Sequence, residues 1–215
     1  MLGSSSPAFA NTVSWAVWNT CGSPSASSTA SGTIGGVGVT YSGEISFCQT
    51  SGTGNFNYFL PTPTYTSATV SNAPSDGGMI GISGTTATHT FTFASPVTNL
   101  VLSEVSLGQG SVPMSYNFNA TPTLLSGGAN AYWGGQSITV SGNDMLGSEG
   151  DGTIEFLGTF SSLNFTVTGS EYWNGFTIGT VGSGTSTGVP EPGTLSLLGS
   201  GLVALCFKCR RKFAR

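Results

Sequence analysis

The sequence predicts an all-β chain, an antiparallel β-sandwich of jelly-roll type, followed by one C-terminal hydrophobic helix. Apolar residues alternate with small polar ones at period two through much of residues 13–181, the mark of half-buried strands. The 33 Gly and 10 Pro stand mostly between those runs, as turn punctuation. No window of residues 11–182 joins helical apolar spacing to helix-forming residues.

Taken in order, Val13, Trp15 and Val17 alternate with Ser14 and Ala16, which predicts a strand over 13–18. Val37, Val39 and Tyr41 predict 36–41, and Ile45 with Phe47 predicts 44–48. Further strands are expected at 68–71, 79–83, 88–93 and 97–103, the last two separated by Ser95-Pro96. Then come 115–119, 137–141, 153–157, 160–168 and 175–181, rich in the Thr, Val, Phe and Tyr that suit a pleated, half-buried surface. Residues 183–188, Ser-Gly-Thr-Ser-Thr-Gly, read as a flexible linker. An apolar run from Gly193 to Phe207 predicts the single long helix, over 193–208.

Charge divides the chain sharply. All five basic residues, Lys208, Arg210, Arg211, Lys212 and Arg215, lie in the last eight positions. Residues 1–190 carry Glu44, Asp76, Glu104, Asp144, Glu149, Asp151, Glu155 and Glu171 with no Lys or Arg, a net −8. The rest contributes five positive charges and Glu191, hence +4, and the sum is the formal −4 of the whole. A body without cations cannot neutralise phosphates, so nucleic-acid binding is excluded. Phosphoryl transfer without a metal is excluded on the same ground.

At the C-terminus, Pro190-Glu191-Pro192 precedes the uncharged apolar run, and the basic cluster closes the chain. Fifteen helical residues, 193–207, span about 22 Å, short of the roughly 30 Å hydrocarbon core. Gly199 and Gly201 weaken that helix further. Such a segment stops translocation but anchors poorly, and basic residues behind it stay cytoplasmic. An ordinary single membrane span is the alternative. This ordered tail, over residues 189–215, resembles the PEP-CTERM sorting signal of Gram-negative bacteria. The resemblance implies recognition by a membrane-embedded cysteine protease, the exosortase, with cleavage near the motif. It implies an inner-membrane-tethered precursor held transiently through 193–207, then transfer to the cell surface or an exopolysaccharide matrix. The body resembles the ectodomains that accompany such tails, through Thr88–Leu100, Gly150–Phe160 and Glu171–Gly179. Those motifs are structural and carry no catalytic set.

Export bears on both ends of the body. Residues 1–10, closing on Ala8-Phe9-Ala10 after Pro7, read as the cleavage region of a signal peptide whose basic and apolar parts would lie upstream; chance is the alternative. The ectodomain then covers 11–182. Cys21 and Cys48 fall within it and suit a disulfide in an oxidising compartment, against the alternative of two buried thiols. Cys206 and Cys209 have C-x-x-C spacing, but with no further ligand nearby neither zinc nor redox chemistry is expected there.

Chemistry in the body is sparse. His89, the one histidine, sits in an alternating strand, where a surface or cross-strand place is expected rather than a catalytic triad. A glycosidase needs two facing carboxylates. Glu104, Glu149, Asp151, Glu155 and Glu171 are available, but nothing in the sequence marks out a pair. Asp144, Glu149 and Asp151 fall in a Gly-rich acidic stretch that reads as a loop and offers hard oxygen ligands suited to calcium; solvated turn acids are the alternative. Trp133 and Trp173, with Tyr132 and Tyr172, are candidates for stacking on sugar, or else fill the core. The expectation is a non-enzymatic surface or matrix protein with no cofactor, and a carbohydrate-binding module, calcium-dependent or not, is the alternative.

Overall fold

Alternation in residues 88–93 becomes alternation in space: His89, Phe91 and Phe93 are buried, while Thr88 and Thr92 face solvent. The computed structural model describes residues 10–84 and 87–182, which form one compact unit. Residues 1–9 and 183–215 lie outside the described residues. The expected signal-peptide remnant, the linker, the sorting motif, the basic cluster and the helix at 193–208 therefore lie outside them wholly or nearly so.

The strands are β1 (Val13–Trp15), β2 (Val17–Cys21), β3 (Ser25–Ile34), β4 (Val37–Ile45), β5 (Phe47–Gln49), β6 (Met79–Ile82) and β7 (Thr88–Leu107). They continue with β8 (Met114–Phe118), β9 (Thr123–Gly127), β10 (Gln136–Ser137), β11 (Thr139–Ser141), β12 (Asp144–Gly147), β13 (Gly150–Thr168) and β14 (Asn174–Val181). The helical content among the described residues is one short 3₁₀ turn at Thr62–Tyr65. No helix among them is long and apolar enough to cross a membrane. The fold is an all-β antiparallel sheet, as the alternation predicts, apart from the parallel pairing of the two-residue β10 with β13.

β7 and β13 form the spine, paired from Gly150 opposite Leu107 to Thr166 opposite Thr88. Three register shifts interrupt that ladder, and such bulges bend a strand. Each long strand therefore changes its other neighbour part-way. Thr90–Phe93 of β7 pairs with β4, and Leu100–Val105 pairs with β14. Gly152–Glu155 of β13 pairs with β9, and Phe165–Thr168 with β8. Gly158, at φ 120°, lies in one of the shifts, a backbone region that side chains disfavour.

Both faces of the spine are covered. Leu100 and Leu102 point into the main core with Trp18, Tyr41, Phe91, Tyr116, Phe165 and Phe176. On the other face Val105 joins Phe59, Tyr65, Ala73 and Met79. Val101 joins Val13, Val70 and Val181. Burial on both faces explains why residues 100–107 show no alternation at all.

The structure differs from the expected strands in several places. The strand expected at 13–18 is broken at Ala16 into β1 and β2, 44–48 is broken at Ser46 between β4 and β5, and 137–141 is broken at Ile138 between β10 and β11. β3 and β9 were not expected, since Ser, Ala and Gly fill the one and only two Leu mark the other. The strand expected at 68–71 shrinks to an isolated bridge between Val70 and Asn11. The pairs 88–93 with 97–103, and 153–157 with 160–168, are each one continuous strand, because a bulge bends the ladder without ending it. Residues 144–151 are β12 and the start of β13, joined through Ser148 and Glu149, where a flexible loop was expected.

Candidate functional site: an aromatic groove above buried carboxyls

Three separate stretches bring rings to one surface: 47–58, 132–133 and 172–173. Asn130 organises the middle one. Its side-chain oxygen accepts from the backbone N–H of Tyr132 (2.8 Å) and Trp133 (3.3 Å), closing a tight turn. Its amide nitrogen donates to the Tyr58 carbonyl (2.7 Å) and the Tyr65 hydroxyl (2.6 Å). One side chain thus sets Trp133 against Tyr58, whose rings stack at 5.2 Å and 27°. The third stretch is tied down through Ser83, whose hydroxyl donates to the Tyr172 carbonyl and whose own carbonyl accepts from Glu171 N–H.

The result is a groove of about 350 Å³ lined by Phe47, Tyr58, Trp133, Tyr172 and Trp173, with Ser46 and Met79 at its floor. Trp133 and Trp173 are half-buried against the second core cluster and perpendicular to one another, at 78°. They therefore fill core and line surface at once, without forming a flat platform. Tyr172 is 88% exposed, and Tyr132 and Phe56 extend the patch beyond the groove. Phe47, Phe56 and Tyr58 were missed in the sequence; the run Phe56-Asn57-Tyr58-Phe59 was the available signal.

Next to the groove lie carboxyls that have no cationic partner among the described residues. Asp151 Oδ1 accepts from Ser106 N–H at 2.9 Å and from the Tyr65 hydroxyl at 3.4 Å, while Oδ2 has no partner among the described residues. Glu149 accepts from the Ser106 hydroxyl. Glu171 accepts from Gly108 N–H (2.6 Å) and from the Asn174 amide (2.8 Å), and Asn174 in turn accepts from Tyr116. Glu104, fully buried on β7, has no hydrogen-bond partner on either oxygen among the described residues. Burial, then the neighbouring Glu171 and Asp151, push its carboxyl well above the usual range. Burial also raises Asp151 and Glu171 to about 7, against the hydrogen bonds that Ser106, Gly108 and Asn174 donate to them.

Of the calcium candidates, Glu149 and Asp151 meet at Ser106, but Asp144 is on β12 accepting from the Asn117 amide at 2.7 Å. Among the described residues no group of three His, Cys, Asp or Glu could hold a metal ion. His89 is buried rather than on the surface; it stacks on its cross-strand partner Phe165 at 4.6 Å and meets the Tyr41 hydroxyl through Nδ1. Burial lowers its pKa to about 4, so the ring is neutral. Cys21 and Cys48 form a disulfide between the end of β2 and β5, with Cα atoms 6.1 Å apart.

Residues 188–212 match the family model of the PEP-CTERM protein-sorting motif, a stretch that takes in Pro190-Glu191-Pro192 and the basic residues up to Lys212. The match indicates an exosortase-targeted surface protein, and a sorting signal of this kind suggests an exported, membrane-anchored precursor. Comparison with curated proteins and with solved structures returned no significant match.

Proposed function

We propose that the mature protein is a non-enzymatic component of the cell surface or extracellular matrix of a Gram-negative bacterium. Its ectodomain is a jelly-roll-like β-sandwich that holds exopolysaccharide in the aromatic groove. The groove carries the reading: rings from three distant stretches are held in place by Asn130 and Ser83 and left partly open to solvent. Such rings offer apolar faces to sugar C–H groups and polar edges to hydroxyls. The absence of catalysis is supported by the fate of the acids, since Glu104 and Asp151 are wholly buried and cannot flank a glycosidic bond. Release from the inner membrane follows exosortase cleavage at the sorting motif.

The test is binding of the exported protein to the producing bacterium's own exopolysaccharide, with and without calcium. Saturable binding that weakens in Trp133→Ala and Trp173→Ala is the expected result, unchanged by calcium. Full binding by both variants would refute the groove as the contact, and release of reducing sugar would refute the non-enzymatic reading.

A further inference from the structure

We infer that the aromatic groove takes the ammonium group of an amine-bearing sugar, such as a de-N-acetylated hexosamine within a glycan. The inference rests on the glycan-binding reading above and names the class of sugar. Two independent observations point to it.

The first is the angle between the rings. Stacking on a pyranose needs a free, flat face, and the two tryptophans do not offer one to the groove. Tyr58 covers Trp133, and Trp173 stands at 78° to Trp133 and 76° to Tyr58, so the exposed Tyr172 is a rim beside walls at right angles. Walls at right angles around a concavity form an aromatic cage, which suits a compact cation attracted by the ring quadrupoles. A ring-shaped neutral sugar gains little there beyond apolar contact.

The second is charge. Residues 1–190 carry eight acids; with Glu104, Asp151 and Glu171 holding their protons at pH 6 the net is still about −5, and no Lys or Arg precedes Lys208 to compete for the cage. An acid also stands close by. The Glu44 carboxylate accepts the N–H groups of Ser83 and Gly84, Ser83 being the residue that holds the Tyr172 carbonyl. A uronate or sulfate polymer is repelled by this field, whereas an ammonium is drawn in. Shape and charge therefore select the same group.

The experiment uses the full chain purified in a polyoxyethylene detergent, so that no glycosidic detergent competes. Tryptophan fluorescence is titrated at pH 6 with a glucosamine tetramer, its fully N-acetylated counterpart, and a galacturonate oligomer, at 0.15 M and 0.5 M salt. The amine oligomer is expected to bind about tenfold more tightly than the acetylated one, with the preference kept at 0.5 M salt and no galacturonate binding. Tyr172→Ala, whose exposed side chain is not needed for folding, should lower that affinity about tenfold, and Trp133→Phe should keep most of it. Equal or tighter binding of the acetylated oligomer overturns the inference and leaves the glycan reading intact. A preference that vanishes at high salt, or that Tyr172→Ala leaves unchanged, is diffuse attraction and overturns it as well. Should the amine oligomer fail while the producer's polysaccharide still binds, the inference alone falls; failure of both removes the glycan reading with it.

Discussion

Gly134 lies against the carboxylate of Asp151 so closely that a β-carbon at 134 would fall within the van der Waals shell of Oδ2. The contact joins the groove to the acids below it, because Gly134 follows Trp133 directly in the turn that Asn130 holds. Its φ of 74° is one that side chains avoid.

Gly134→Ala should therefore cost more than the roughly 1 kcal/mol of an ordinary glycine replacement, since conformation and space both oppose it. The melting temperature is expected to fall by at least about 3 °C, with polysaccharide binding weakened in parallel. Unchanged melting would show that the turn is not held against Asp151.

Acidity should stabilise the fold. Asp151 and Glu171 keep their protons up to about pH 7, and Glu104 is raised too, whereas unfolded carboxyls titrate near 4. The folded form then binds more protons between those values, so this stabilisation is full below about pH 4 and lost as pH rises through about 7. His89 acts oppositely: with its pKa lowered to about 4, its contribution is present above about 6.5 and lost on acidification. Three carboxyls outweigh one imidazole, and each unbalanced proton is worth about 1.4 kcal/mol per pH unit. Thermal melts should show higher stability at pH 5 than at pH 8. Glu104→Gln should flatten the slope and raise stability at pH 8. A melting temperature that climbs steadily from pH 5 to 8 would contradict the assignment.

Reduction of the Cys21–Cys48 bridge, 27 residues apart in sequence, should cost about 3–4 kcal/mol through the freed unfolded chain. For a domain of this size that is a fall of about 10 °C in melting temperature. Melts of the chain with and without dithiothreitol measure it, and a Cys21→Ser, Cys48→Ser double variant should match the reduced protein and ignore the reductant.

Processing should depend on the sorting motif. In a host with an exosortase, the mature protein should be lighter than the precursor by about the mass of the tail, and Pro190→Ala with Pro192→Ala should leave the precursor to accumulate. Equal masses with and without the protease would remove the sorting signal from the account.

What could be read in the sequence was set by how much each element depends on its own residues. Val37–Tyr41 and Thr88–Phe93 face one core, so their alternation survives in the letters. β3 does not, because its Ser and Ala positions carry no alternating large apolar side chain, although Ala30 and Ile34 are buried. The sorting tail was legible because its three parts are local. In the groove, Trp133 and Trp173 were visible as candidates, but Tyr58 and Phe47 were not, since they reach the site from 75 or more residues away. The buried carboxyls were equally hidden: register alone sets Glu104 of β7 opposite Gly152 of β13 and Phe176 of β14.

The placement of β14 has a mechanical consequence. Trp173, in the groove, stands just before its first residue, and Val181, from which the chain continues toward the sorting tail, is its last. A pull between a polymer held in the groove, as proposed above, and residue 182 would therefore run lengthwise down about 26 Å of a single strand. That strand is laced to β7 along Gly175–Thr180, to β6 at one end and to β1 at the other. Under such a load the hydrogen bonds are sheared together instead of unzipped one after another, so the strand that presents the ligand site also resists being pulled out by it.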